Sequence, residues 1–208
     1  MTPISRPFWL SCFVTASIGF GVPIAGAELI TFTHEGSGSG SLNAVPFADL
    51  AFTITAVADT EDRVPLGTSG TPGSAVSHQF ATIELEGLGL FEFVTDTRTF
   101  VNRGEGLVGF GRSRDGGVNG SDLFNGPGGS DLLASYELDV SIGPIAGSAL
   151  LLQWNSVASG PVLTSGGQLF FSDEFVPATF TATLVPEPGL AGLMLIGLPL
   201  TVCRRRVS

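Results

Sequence analysis

Lysine is absent from the 208 residues, and histidine, cysteine and tryptophan occur only twice each. Without lysine there is no ammonium for a phosphate loop and no amine for a Schiff base, so both chemistries are excluded. The two cysteines, Cys12 and Cys203, lie in terminal apolar segments. The long section between them therefore holds no disulfide and no thiol nucleophile, and its stability must come from apolar burial and sheet hydrogen bonds. His34 and His78 each stand in strand-like sequence with no second ligand at metal spacing, and both read as structural. There is no G-x-S-x-G elbow; Gly111-Arg112-Ser113-Arg114-Asp115 lacks the final glycine.

Positive charge is also scarce. Nine Lys+Arg against nineteen Asp+Glu give a formal net charge of −10. Setting aside Arg6, Glu187 and Arg204 to Arg206 leaves a middle section near −13. A surface this acidic repels nucleic acid and anionic lipid and favours solubility and cation uptake. A nucleic-acid partner is excluded.

What is present is concentrated at the two ends. Arg6 precedes an apolar, small-residue stretch from Pro7 to Ile24, followed by Ala25-Gly26-Ala27. This is the pattern of a secretory signal peptide cleaved after Ala27, with Ala25 and Ala27 as the cleavage signature and a mature start near Glu28. Cys12 does not close the apolar run, so lipidation there is rejected. At the other end come Val185-Pro186-Glu187-Pro188, an uncharged run from Gly189 to Cys203, and Arg204, Arg205 and Arg206. At about 1.5 Å per residue in a helix, that run reaches only about 22 Å across a hydrocarbon core of about 30 Å. The arginines hold the cytoplasmic side as a stop, and the prolines keep the preceding peptide extended. The segment suits a temporary anchor.

In its order of tetrapeptide, apolar run and arginine cluster, this tail resembles the PEP-CTERM sorting signal of bacterial proteins handled by an exosortase. The resemblance implies that Val185, Pro186, Glu187 and Pro188 are the recognition and processing site. It implies a transient inner-membrane segment and an exported protein of a Gram-negative, biofilm- or exopolysaccharide-producing bacterium. The implied partners are the general secretion machinery, signal peptidase, the exosortase and exopolysaccharide. The middle is similar, more loosely, to the Gly/Thr/Phe-rich β domains of that group.

The expected organisation is a signal peptide over 1–27, one domain over 28–184 and the sorting signal over 185–208. The middle alternates aromatic and β-branched residues on period two. Strands are predicted at Leu29–Thr33, Leu50–Val57, Ala75–Glu86, Gly89–Val94, Thr97–Asn102 and Leu107–Phe110. More are predicted at Leu132–Ile142, Ala149–Asn155, Gln168–Phe171 and Ala178–Val185. Turn chemistry falls at Gly36–Ser41, Gly67–Ser74, Gly126–Ser130 and Ser165–Gly167. The fold class is all-β, an antiparallel sandwich or jelly-roll, with a signal helix before it and a short membrane helix after it.

Internal motifs are few. Gly117 to Asn125 and Gly126 to Ala134 form a tandem nonapeptide, G-x-x-G-S-D-L-[FL]-x, similar to calcium-binding β-roll repeats. Asp115, Asp122 and Asp131 are the candidate calcium ligands. With only two copies, a glycine-rich loop is the competing reading. Gly104 to Gly109 satisfies G-x-G-x-x-G without a following helix and reads as a strand between turns. Glu84, Glu86 and Glu92 could pair for glycoside chemistry, although Glu84 and Glu86 read better as a solvated face. Trp154, flanked by Gln153 and Asn155, is either core or a platform for a sugar ring. The expectation is a non-enzymatic, matrix-associated surface protein without an obligatory cofactor. The alternatives are a carbohydrate- or calcium-binding module and a secreted hydrolase.

Overall fold

The computed structural model describes residues 28–66, 72–113, 120–156 and 159–186. The expected signal peptide and the tail from Glu187 onward lie outside these residues. Among the described residues there is no α-helix; the fold is antiparallel β with two short 3-10 turns. No helix among them is long and apolar enough to cross a membrane.

The strands are β1 (Leu29–Leu42), β2 (Val45–Asp59), β3 (Val64–Pro65), β4 (Gly73–Ser77), β5 (Phe80–Leu85), β6 (Gly89–Glu92) and β7 (Thr97–Asn102). They continue with β8 (Leu107–Arg112), β9 (Asp122–Asn125), β10 (Ile142–Leu151), β11 (Val162–Thr164), β12 (Gly167–Phe171) and β13 (Glu174–Leu184). Hydrogen bonding runs in the order β3-β4-β7-β8-β9-β10-β13-β1-β2-β5-β6. The path curls because β4, near one end, continues directly into β5, near the other. His78 N–H donates to Thr97 O at 3.0 Å and the next residue, Gln79, donates to Val57 O at 2.8 Å. The chain therefore crosses from one wall of the curl to the other within two residues. The Ala75–Glu86 strand expected as one piece is thus broken at this corner.

A second closure occurs at the far end. The last residues of β1 pair with β12, β12 pairs with β11, and Thr164 bridges Phe93 just beyond β6. Strands β1, β2, β5, β6, β11 and β12 thus form a closed hydrogen-bonded circuit, which leaves little open edge. At the opposite end of the path the edge strand β3 contains Pro65, which cannot donate to a further strand.

Alternation fills the interior as the period-two pattern requires: Ile30, Phe32 and His34 on β1, and Phe52, Ile54, Ala56 and Ala58 on β2, point inward. Aromatic rings dominate the core. Phe52 meets Phe124 edge-on at 5.4 Å, and Phe171 lies 5.0 Å from Phe52 and 4.9 Å from Trp154. Burying each such ring is worth about 1.5–3 kcal/mol before entropy is counted.

Two expectations are corrected here. Gly36–Ser41 is not a turn but part of the second half of β1, with a register shift between Gly38 and Gly40. Its glycines make room rather than bend the chain. A Cβ on Gly36 would press on the Phe52 ring, one on Gly38 on Leu151 and Phe171, and one on Gly40 would collide with the Phe170 carbonyl. Leu132–Ile142 is not a strand; it holds a 3-10 turn (Leu133–Ser135) and irregular chain up to β10. Its apolar residues Leu133, Tyr136 and Leu138 are buried together with Val101, Val108 and Phe32, closing one end of the core. Leu138 has φ 63°, outside any strand geometry. The short strands β3, β9 and β11 had no sequence signal strong enough to be predicted.

Candidate functional site

The start and end of the folded body leave it side by side. Strands β1 and β13 are antiparallel neighbours with Ile30 opposite Leu184. Val185 N–H donates to Leu29 O at 2.8 Å, Leu184 N–H to Ser141 Oγ at 2.9 Å, and Thr60 N–H to Glu28 O at 3.0 Å. Val185 is 40% exposed and Pro186 is exposed. The first two residues of the expected sorting tetrapeptide therefore continue β13 out of the sheet without a linker. Glu187, Pro188 and the arginines Arg204, Arg205 and Arg206 lie outside the described residues, as do Ala25 and Ala27.

Beside this exit opens a polar groove of about 520 Å³ between the 3-10 turn at Thr60–Asp62, β3, β4 and the segment around Glu137. Arg63 is held at three points: Nε donates to Thr60 O at 2.6 Å, and Nη1 to Glu137 O at 3.0 Å and Asp139 Oδ2 at 2.8 Å. Arg103 pairs with Glu137, whose other oxygen accepts from Ser74 Oγ at 3.0 Å. Val64 and Pro65 supply an exposed aliphatic wall. These residues come from widely separated points of the chain, so no local motif could announce them.

A second polar cluster lies inside the core. His34 Nε2 lies 3.3 Å from Thr99 Oγ1, and His78 Nε2 lies 2.9 Å from the same oxygen, while His78 Nδ1 meets Thr97 Oγ1 at 2.8 Å. His34 is fully buried and its Nδ1 has no partner. Its ring packs against Phe110, Phe124 and Phe180, and His78 stacks on Phe110 at 5.6 Å. Burial in this aromatic shell lowers both pKa values to about 3, and in His78 the neighbouring His34 adds to the effect. His78 keeps some solvent contact at its rim, but both its ring nitrogens are engaged. Both histidines are neutral near pH 7, so the cluster is polar but uncharged.

Of the candidate calcium ligands, Asp122 and Asp131 stand in differently built segments. The two nonapeptides fold differently: the first ends in β9, the second in a turn leading to Leu133–Ser135. Asp122 accepts from Arg98 Nη2 at 3.1 Å and from Asn125 Nδ2 at 3.4 Å. Arg98, 4% exposed, reaches it across Gly111, which is paired with both residues and has no side chain to obstruct the path. Burial lowers the Arg98 pKa, and Asp122 opposes that shift. Asp131 is exposed in a turn, and Asp115 lies outside the described residues. Among the described residues no three His, Cys, Asp or Glu are grouped to hold a metal ion.

Trp154 is fully buried, and its indole N–H donates to Leu123 O at 2.7 Å. Its ring is enclosed in the core and offers no exposed face to a sugar, so of the two readings of Trp154 the structure has the core one. Glu84 and Glu86 are exposed on the outer face of the sheet, alternating with buried Ile83 and Leu85. Gly104 to Gly109 is the turn between β7 and β8 and the start of β8, with no helix to receive a phosphate. No known family, curated protein or solved structure matches this chain.

Proposed function

We propose that this is an exported, exosortase-sorted structural protein of the cell surface or extracellular matrix, associated with exopolysaccharide and without enzymatic activity. In this reading residues 1–27 are a signal peptide, 28–184 the exported domain and 185–208 the sorting signal. The general secretion machinery and signal peptidase deliver it, and a short C-terminal helix anchors it transiently in the inner membrane. An exosortase then acts at Val185 to Pro188. The curled sheet is read as a jelly-roll-like sandwich whose two walls meet through His34 and Phe110.

The observation that carries this reading is the exit of the chain. Its first two residues, Val185 and Pro186, follow directly on β13 and are exposed, and a proline disfavours helix in the residue before it, which suits a peptide presented to a processing enzyme. The test is intact mass and fractionation of the protein from its host, with and without Glu187→Ala. The expected mature species starts at Glu28, ends near Pro188 and lies outside the inner membrane, while the variant keeps its tail. A full-length chain in the inner membrane, unaffected by the substitution, makes the tail a plain anchor and defeats the proposal.

The groove at Arg63 and Arg103 favours a second reading, a carbohydrate-binding module on the cell surface. Calcium in that module would have to compete with Arg98 for Asp122.

A further inference from the structure

We propose that the groove formed by Thr60, Glu61, Arg63, Pro65, Arg103 and Glu137 is a binding site for an uncharged oligosaccharide segment. The inference deepens the polysaccharide association proposed above and names its site. The first argument is charge. Arg63 is matched by Asp139 and Arg103 by Glu137, while Glu61 has no ion-pair partner among the described residues. The groove is therefore close to neutral with a slight acidic excess. An anionic ligand meets guanidinium groups that are already neutralised, and a free cation must break ion pairs to gain ligands. A neutral polyol requires neither.

The second argument is hydrogen-bonding capacity. Among the described residues Arg63 Nη2 takes no partner, the Arg103 guanidinium uses Nη1 alone, and the Glu61 carboxylate accepts no hydrogen bond. Guanidinium donors and carboxylate acceptors match vicinal sugar hydroxyls, which both donate and accept. The groups are held in advance, Arg63 by three contacts and Glu137 by two, so little order remains to be imposed on binding. Val64 and Pro65 give the aliphatic surface that the C–H face of a sugar ring requires. The volume of about 520 Å³ lies within the usual range for small-ligand sites. Because Thr60 bonds to Glu28 and Val185 to Leu29, the groove lies at the end of the body where Val185 leaves β13.

The test uses the full chain in a zwitterionic, sugar-free detergent and ligand-observed saturation-transfer NMR. The probes are cellotriose, laminaritriose, maltotriose and mannotriose, with trigalacturonate as the acidic comparison. At least one neutral trisaccharide should show saturable transfer. Arg103→Ala and Glu61→Ala should each weaken it about tenfold or more, the scale of one lost charged hydrogen bond. Glu84→Ala, on another face, should leave it unchanged. Should Arg103→Ala fail to fold, judged by its melting curve, Glu61→Ala on the exposed 3-10 turn decides. Transfer to trigalacturonate alone, to no neutral trisaccharide, or undiminished in the groove variants overturns the site. Binding is read on purified chain and sorting in the host, so the two proposals fail separately.

Discussion

His34 and His78, the only histidines of the chain, meet on one hydroxyl, that of Thr99. One stands on β1 in the middle of the sheet and the other at the β4–β5 corner, and the curl brings them together among phenylalanine rings.

Their burial makes stability depend on pH in a defined window. An unfolded histidine binds a proton near pH 6.5, whereas these remain neutral in the folded protein down to about pH 3. Between those values the unfolded state binds more protons, so the histidine contribution is complete above pH 6.5 and is lost as pH falls toward 3. For fully buried His34 the scale is a few kcal/mol, at about 1.4 kcal/mol per pH unit. Melting curves from pH 8 to 4 should therefore fall below pH 6.5, and His34→Leu should flatten the decline. Parallel profiles for the two proteins would refute this account.

Gly40→Ala should destabilise the domain by on the order of 3 kcal/mol or more, since its Cβ meets backbone, which cannot rotate away. The same substitution at Gly36 should cost less, because ring atoms of Phe52 and Phe124 can shift. Urea unfolding of the two variants checks the order.

Trp154→Ala should cost about 3–5 kcal/mol as a core truncation. Because the indole is enclosed, its fluorescence should be blue-shifted, protected from acrylamide and indifferent to added oligosaccharide. A sugar-dependent change in the Trp154 emission would contradict its place in the core.

Asp122→Asn should destabilise by about 3 kcal/mol, because it leaves the buried guanidinium of Arg98 without its counter-charge. The loss should be the same in calcium as in EDTA. A Tm that rises with calcium in the parent protein but not in the variant would restore the metal reading.

The strands that could be read from sequence are those whose pattern is local. Thr97–Asn102 has the same bounds in β7 as in the alternation, and the Ser165–Gly167 turn closes the β11–β12 hairpin. Local signals misled where a residue served a distant partner. The glycines at 36 and 38 resemble a turn but clear space for side chains from β2, β9, β10 and β12, and Gly40 clears space for the β12 backbone. Leu133, Tyr136 and Leu138 resemble a strand but cover the end of the core without pairing. The histidine cluster and the Arg63–Glu137 groove depend on contacts across many strands, which periodicity does not encode.

The adjacency of Leu29 and Val185 has a mechanical consequence. A pull on the chain beyond Pro186 acts along β13, which is flanked by β1 on one side and β10 on the other. Load then falls on two ladders in shear, with many hydrogen bonds resisting at once, instead of peeling an edge strand open bond by bond. Were the tail fixed in a membrane, as proposed, drag on the body would be borne by a strand paired along both of its edges. A groove beside the same exit would keep the line of force between the proposed polymer and anchor short, and the closed circuit of strands that includes β1 would share the load.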